Sequence, residues 1–323
     1  MEVTVALPTY KNNGTTIRDL LESLSHQTYA NFRLLVVYKP SDGDVTEDVI
    51  SKYKNLDIEV IYQKEGYIEE AMNLIFSNAN ADILITTDDD AIPSKDWIRN
   101  HVNLHEKFPE VGMVGPYFGN GHKINVFKKI YSFLMERPLD ERMKDYLTYF
   151  SKTGIFVGNP FFNNYNLPYI KSFSFMGVNM SVKKEVYKDF RLLQMTLRGI
   201  GYEPYLCFHS FIKGLYPATF KDCCKLFHNE RDSLSRPKSL SGIKERYAEL
   251  MLSVYYLNKF YKLDLTKLKI DMLIKTLSWK LHKKTKEDEA MLDGIRLGLK
   301  ISLEAIQNNY DSMWIRSKLK EIQ

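Results

Sequence analysis

Cysteine is scarce in this chain. Cys207, Cys223 and Cys224 are the only three in 323 residues, and two of them are adjacent, which offers no disulfide framework and points to a reducing cytoplasm. Nor do Cys223, Cys224 and His228 make a closed zinc site, which needs four ligands at standard spacings. No run approaches the ~20 apolar residues needed to cross a bilayer; clusters such as Leu34-Leu35-Val36-Val37 are strand-sized. The opening MEVTVALPTY lacks the basic flank and long apolar core of a signal peptide and reads as a strand. The net charge of +5 is mild. It suits an anionic small molecule or a membrane surface and is too weak to imply nucleic acid. The expected location is therefore cytoplasmic, with any membrane met from its inner face.

What remains is an ordinary folded composition, 44% apolar and 26% charged, without internal repeats or low-complexity tracts. The first third alternates strand and helix. Strands are expected at Val3 to Leu7, Leu34 to Tyr38, Ile58 to Tyr62, Ile83 to Ile85 and Val111 to Val114. Between them lie helical stripes. Ile17, Leu20, Leu21 and Leu24 form the first, Val45, Val49 and Tyr53 the second, and Ile68, Ala71, Met72, Ile75 and Ala79 the third. A fourth helix is expected from Ser94 through Trp97, Ile98 and Leu104. Strands joined by helical crossovers run parallel and are covered on both faces. The expected fold is a three-layer α/β architecture with its ligand at the carboxyl ends of the strands.

From Tyr117 to Ser174 the pattern dissolves into aromatic, Gly- and Asn-rich sequence, expected to be a functional loop. Its Phe156, Phe161, Phe162, Tyr165 and Tyr169 either stack on acceptor sugars or belong to a core. Strand signal returns at Phe173 to Val182, and after Leu240 the chain reads as helical.

Asp88-Asp89-Asp90 ends the apolar strand ADILITT. Three successive carboxylates repel one another and lose solvation at the tip of a buried strand. A divalent cation relieves that cost, and carboxylate oxygens select Mg²⁺ or Mn²⁺, which also bind phosphate oxygens.

This run, followed by Pro93 and Trp97, resembles the Asp-x-Asp motif of GT-A fold glycosyltransferases, particularly the inverting family 2. Other segments carry the same resemblance in the same order. Val5-Ala6-Leu7-Pro8-Thr9-Tyr10-Lys11-Asn12 is similar to the opening strand and nucleotide loop, and Leu24-Ser25-His26-Gln27-Thr28-Tyr29 with Asn31-Phe32 to the segment after it. Gly66, Ala71 and Asn73 resemble the helix before the metal strand, and Gly177-Val178-Asn179-Met180-Ser181-Val182 the segment bordering the acceptor. The resemblance spans roughly residues 2 to 230.

The resemblance implies a GT-A-like, mostly parallel three-layer catalytic domain over 1–239. Its nucleotide- and metal-binding half would be 1–115 and its acceptor half 116–239, with a helical C-terminal extension at 240–323. It implies a metal-dependent, inverting transfer of a sugar from a nucleotide-diphosphate-sugar donor to a glycan or lipid-linked acceptor. Pro8, Thr9, Tyr10, Asp42, Gly66, Asp88 and Asp89 would bind the donor, and Asp88, Asp90 and His228 the Mn²⁺ or Mg²⁺. Glu203 falls where the family carries a Glu-Asp pair and would be the base; Pro204 replaces the second acid, leaving Asp189 and Asp222 as alternatives. Glu203 as a surface residue on a turn, and His228 as a structural histidine, are the competing readings. The chain departs from the family at Tyr38-Lys39, where acidic residues normally meet the base; Asp42 is the nearby substitute. The stretch Asn229 to Arg236, with Arg231, is either a lid over the diphosphate or a solvated loop.

Two other functions fit the same fold. A sugar-nucleotide nucleotidyltransferase would open with a Gly-rich basic loop, which PTYKNNG is not; a non-catalytic carbohydrate-binding protein would turn over no donor. Ile270, Leu273, Ile274, Leu277 and Leu281 recur at helical spacing amid Lys267, Lys269, Lys275, Lys280, Lys283 and Lys284. That pattern suits either a helix packed on the catalytic domain or a peripheral membrane contact.

Overall fold

The computed structural model describes residues 1–117, 126–229, 236–281 and 285–321. The chain divides into two compact units, each discontinuous in sequence. One comprises Met1–Gly119, Asn166–Leu192 and Tyr202–Arg231; the other comprises Asn120–Tyr165, Leu193–Gly201 and Asp232–Gln323.

The strands in chain order begin β1 (Val3–Tyr10), β2 (Phe32–Lys39), β3 (Ile58–Tyr62), β4 (Ile83–Thr86), β5 (Ala91–Pro93) and β6 (Val111–Pro116). They continue with β7 (Thr148–Phe150), β8 (Phe156–Gly158), β9 (Ile170–Lys171), β10 (Met180–Lys183), β11 (Tyr216–Phe220) and β12 (Leu226–His228). The helices of the first half are α1 (Ile17–Ser25), α2 (Thr46–Ile50), α3 (Ile68–Asn78), α4 (Trp97–Lys107) and α5 (Val126–Met135). Then come α6 (Lys184–Tyr187), α7 (Tyr202–Ile212), α8 (Leu240–Leu250), α9 (Ser253–Asn258), α10 (Leu265–Leu281), α11 (Lys286–Asn308) and α12 (Ser312–Lys320).

In the first unit the described residues form an eight-stranded sheet, ordered β3-β2-β1-β4-β10-β6-β11-β9. β1 runs parallel to β2 and β4, and β2 to β3; β10 enters antiparallel between β4 and β6, and β9 closes the far edge antiparallel to β11. β1 and β2 are interior strands, and their near-continuous apolar runs are buried on both faces. The stripe Ile17, Leu20, Leu21 and Leu24 of α1 is fully buried against this sheet, as its spacing predicts, in one core with Val5, Leu7, Val36, Ile85 and Trp97. Each such side chain contributes about 1.5–3 kcal/mol.

Three details depart from the sequence reading. The second helix shrinks to five residues, because the stripe ends at Ile50 and Ser51 begins a turn. The strand expected over Phe173 to Val182 begins only at Met180; a 3₁₀ turn at Gly177–Asn179 precedes it. Between the aspartates and α4, β5 pairs antiparallel with β12 in a two-stranded ribbon. Three-residue strands carry too little period to be read from sequence.

The second unit holds α5, the β7–β8 hairpin and α8 to α12. Its α8 gathers the segment before Gly201. Glu249 accepts the backbone N–H groups of Leu197 (2.7 Å), Arg198 (2.8 Å) and Ile200 (3.2 Å), while Glu245 pairs with the Arg198 guanidinium at 2.7 Å. The region expected to be an irregular loop thus contains a helix, α5. Phe156 and Phe161 are exposed, and Phe162 meets Tyr165 edge-on. In the first unit, Tyr169 packs against Phe108 and Phe220, as a core residue would. Among the described residues no helix is long and apolar enough to cross a membrane. Ile270, Leu273, Ile274 and Leu277 of α10 are exposed rather than packed. Lys283 and Lys284 lie outside the described residues.

Candidate active site

The carboxyl ends of β1 and β4 meet at Asp88-Asp89-Asp90. Each aspartate has a different environment. Asp89 is buried and accepts a hydrogen bond from Thr9 Oγ1 at 2.6 Å. Its carbonyl accepts from the Asn12 amide at 3.3 Å, and Asn12 Oδ1 in turn accepts the Ile17 N–H at the start of α1. The Pro8-Thr9-Tyr10 end of β1 is thereby tied to the aspartate run. Asp88 is half-exposed and Asp90 nearly buried.

The β5–β12 ribbon delivers the third group. Pairing of Ala91 with His228 sets the imidazole beside the aspartates, and the Asn229 N–H donates to the Asp90 carbonyl at 2.9 Å. His228 Nε2 lies 2.9 Å from Asp90 Oδ1 and 3.9 Å from Asp88 Oδ2, and one ligand atom from each residue falls within 4.8 Å of the others. Ligands of a hard octahedral cation at about 2.1 Å stand about 3 Å apart when adjacent and about 4.2 Å apart when opposite. Both measured separations lie close to that interval. Two carboxylates and an imidazole form a donor set suited to Mn²⁺ or Mg²⁺.

Other motif residues brace this loop. Gln27 donates to the Ser94 carbonyl at 2.8 Å and accepts the Ile98 N–H at 3.2 Å, while Thr28 bonds the Asp96 carboxylate at 2.7 Å. Asn179 Oδ1 accepts from Trp97 Nε1 at 2.9 Å, and its amide donates to the Cys224 carbonyl at 2.8 Å. The segments following the aspartates and preceding His228 are thus fastened to one side chain.

Glu203 lies in the first turn of α7, where Pro204 is tolerated because its missing N–H would have no helical partner. Its Oε1 accepts the Gly177 N–H at 3.1 Å. A side chain at 177 would displace its neighbours: a Cβ there would stand 2.0 Å from the Tyr202 hydroxyl oxygen and 3.3 Å from Glu203 Oε1. The carboxyl is pushed up to about 7, chiefly because surrounding protein desolvates its charged form, with a smaller contribution from the Asp88 charge; the Gly177 N–H opposes the shift. Asp189, by contrast, is exposed and engaged with Lys213 and His209, and the Lys213 ammonium holds its carboxyl below the usual range. Asp222 sits at a left-handed backbone position, φ 56°.

Gly66 adopts φ +89°, and the Glu70 side chain occupies the space where its Cβ would fall. Its carbonyl accepts from Lys39 Nζ at 2.7 Å. The same ammonium lies 5.0 Å from the Tyr10 ring centre and 6.0 Å from that of Tyr67. Lys39 therefore joins Gly66 to Tyr10. Asp42 is exposed in the adjoining turn, and among the described residues it makes no hydrogen bond or ion pair with this cluster. The stretch proposed as a lid falls, at 230–235 including Arg231, outside the described residues.

Sequence reasoning did not single out Lys39, or Asn12 and Asn179 as fasteners. Lys39 was visible only as a departure from an acidic position, and a buried asparagine announces no bonding partners in sequence.

Comparisons with known proteins bear on the fold and the family. No curated protein sequence matches the chain. Among solved structures, TarS 1-349 of S. aureus in complex with UDP-GlcNAc has a TM-score of 0.56 at 14% identity, covering 100% of this chain and 89% of that one. Against the longer S. aureus TarS structure the TM-score is 0.54 at 14% identity, and this chain spans only 54% of that one. The mannosyltransferase PcManGT from Pyrobaculum calidifontis, in complex with GDP-Man and Mn²⁺, has a TM-score of 0.53 at 16% identity, covering 99% of this chain and 85% of that one. These likenesses establish the fold, GT-A. The sequence pattern described as Glycosyl transferase family 2 matches residues 4–190, more than half of the chain, and the protein belongs to that family of glycosyltransferases.

Proposed function

We propose that this protein transfers a sugar from a nucleotide-diphosphate-sugar, with inversion, to a hydroxyl of a glycan or lipid-linked acceptor. The observation that carries the reading is the convergence of Asp88, Asp90 and His228 at the strand ends. The donor-bound structures on this fold support the donor class.

Asp88, Asp90 and His228 would hold Mn²⁺ or Mg²⁺, which would offset the charge that develops on the departing diphosphate. Thr9 and Asn12 keep Asp89 and the turn around it in place. The end of β1 with Tyr10, Lys39 and Gly66 cradles the donor's nucleotide, with Asp42 in the exposed turn after β2. Glu203 accepts the proton of the attacking hydroxyl as the new bond forms at the anomeric carbon and the bond to the diphosphate breaks. A carboxyl near 7 is matched to that task, since about half is ionised at neutral pH while it retains enough basicity to take a proton. Gly177 holds one oxygen, which fixes the direction of the other.

We place the enzyme in the cytoplasm at the inner face of a membrane, which its C-terminal helices touch. The test is donor turnover. The purified chain, given UDP-, GDP- and dTDP-sugars in turn, is expected to release nucleoside diphosphate from one class with Mn²⁺ and from none after chelation. Metal-independent release, or no release with any donor, would overturn the reading.

A further inference from the structure

An amphipathic helix in a folded unit normally buries its apolar stripe. Two helices of the second unit do the opposite. On α5, Val126, Phe127, Ile130, Phe133 and Leu134 fall on one face, and each is more than half exposed. On α10, Ile270, Leu273, Ile274 and Leu277 form the second stripe, each 41–59% exposed. The two helices are joined beneath these stripes. The Tyr131 hydroxyl donates to Asp271, and Lys275 bonds the same carboxylate at 2.8 Å while lying 5.7 Å from the Tyr131 ring centre. Phe127 and Leu134, at i−4 and i+3, lie beside Tyr131 on α5, and Ile274, at i+3, lies beside Asp271 on α10, so each stripe reaches the junction.

The exposed charges of α5 and α10 have one sign, while Glu304 lies in the groove beside them. α5 contains no acidic residue, and the single acid of α10, Asp271, is buried. Lys129 and Arg137 flank the first stripe and Lys267 and Lys269 the second; the Arg137 guanidinium lies over the Phe133 ring, 5.0 Å from its centre. Two copies meeting through this face would oppose cation to cation, because a two-fold contact sets each patch against itself. An anionic lipid surface complements both features, since its acyl boundary takes the apolar side chains and its headgroups take the cations. Leu273 also lines a groove of about 810 Å³ between α10 and α11, with Leu268, Met272, Leu299 and Leu303, giving an acyl chain room beside the face.

We propose that the joined faces of α5 and α10 dock in the interfacial plane of an anionic bilayer. This deepens the membrane contact proposed above, on which it rests, and adds α5, which lies in the region the sequence presents as a loop.

The test is flotation of the full chain with vesicles of phosphatidylcholine alone and of equal parts phosphatidylcholine and phosphatidylglycerol. Binding is expected to the mixed vesicles and to be weak on the neutral ones. Changing Lys129, Lys267 or Lys269 to Gln should lower binding about fivefold for each lysine. Phe127→Asp with Leu273→Asp should abolish it while the melting temperature holds. Equal binding to both vesicles, unchanged binding by these variants, or a dimer in sedimentation that Phe127→Asp dissociates would overturn the proposal. Donor turnover measured without vesicles reads the transferase function separately, so each can fail alone.

Discussion

The backbone N–H of Gly177 donates to Oε1 of Glu203 at 3.1 Å, linking the turn before β10 to the first turn of α7. That one bond holds a carboxyl whose ionisation is suppressed by its surroundings, and it does so from a residue that has no side chain to interfere. Basicity and orientation thus come from separate sources: the first from desolvation by the surrounding protein, the second from a backbone donor.

If Glu203 is the base, Glu203→Gln removes proton acceptance and keeps the shape. Turnover is expected to fall about 10²-fold or more, the scale typical of losing a general base. Donor and metal affinity should stay within a few-fold. The wild-type rate should rise as pH increases through about 7, because the carboxyl must be ionised to accept a proton. The variant's residual rate should lack that limb. Rate–pH profiles of both proteins check this, and a shared limb would move the role to another group.

Gly177→Ala provides a finer cut. Its methyl would collide with the Tyr202 hydroxyl and crowd Glu203 Oε1, so those side chains or the start of α7 must shift. We expect kcat to fall at least tenfold, since small misplacements of a catalytic group are costly. Mn²⁺ affinity, read by titration calorimetry with donor present, should be retained because the substitution removes none of Asp88, Asp90 and His228. Loss of metal binding along with turnover would show that the damage is general.

Removing a ligand tests the metal centre. Asp88→Ala or Asp90→Ala is expected to abolish Mn²⁺-dependent donor binding while the fold survives, since each relieves carboxylate repulsion at the strand tip. His228→Ala should weaken the metal less, because the two carboxylates remain. Thermal shift with donor, with and without Mn²⁺, reads both outcomes. Full transfer activity in the aspartate variants would sink the assignment.

Much of this was legible in the sequence, and the reasons are physical. Long apolar runs such as Leu34 to Tyr38 and wide-spaced stripes such as Ile17 to Leu24 carry a strong period, and those elements appear as read. Asp88-Asp89-Asp90 stood out because three adjacent carboxylates at a strand end ask for a cation. His228 could be paired with them only through the resemblance, since the β5–β12 ribbon that brings it there is three residues wide on each side. α5 was missed although Val126, Phe127, Ile130, Phe133 and Leu134 keep helical spacing. Its aromatic neighbourhood resembled a loop, and its stripe faces outward, where no core demands it.

The pair His101 and His105 gives the last prediction. Both rings are buried, and both reach the Ser181 hydroxyl at 2.9 Å, from Nδ1 of His101 and Nε2 of His105. His101 Nε2 also lies 3.2 Å from Asn179 Oδ1, an acceptor, so that nitrogen carries the proton. Its Nδ1 then accepts the Ser181 O–H, and His105 Nε2–H donates to the same oxygen. The bonds around Ser181 are satisfied with both rings neutral, while the buried His105 Nδ1 has no partner among the described residues; protonating His101 would set an N–H against a hydroxyl hydrogen already aimed at it. Burial accordingly lowers both rings from 6.5, His101 to about 4 and His105 to about 3. A histidine depressed in the folded state contributes stability that is fully present above its unfolded value of about 6.5 and lost as pH falls toward the folded one. Urea midpoints should therefore be nearly flat from pH 8 to 7 and decline from about 6.5 toward 4, the two rings together outweighing the opposite effect of Glu203, whose raised carboxyl stabilises the fold as pH falls below about 7. His101→Gln with His105→Gln should flatten the part of that decline that these rings supply. Should the double variant not fold, ring proton shifts of the wild type decide the matter: both are expected to stay at their neutral positions down to about pH 5, and titration of either ring near 6.5 would refute this arrangement.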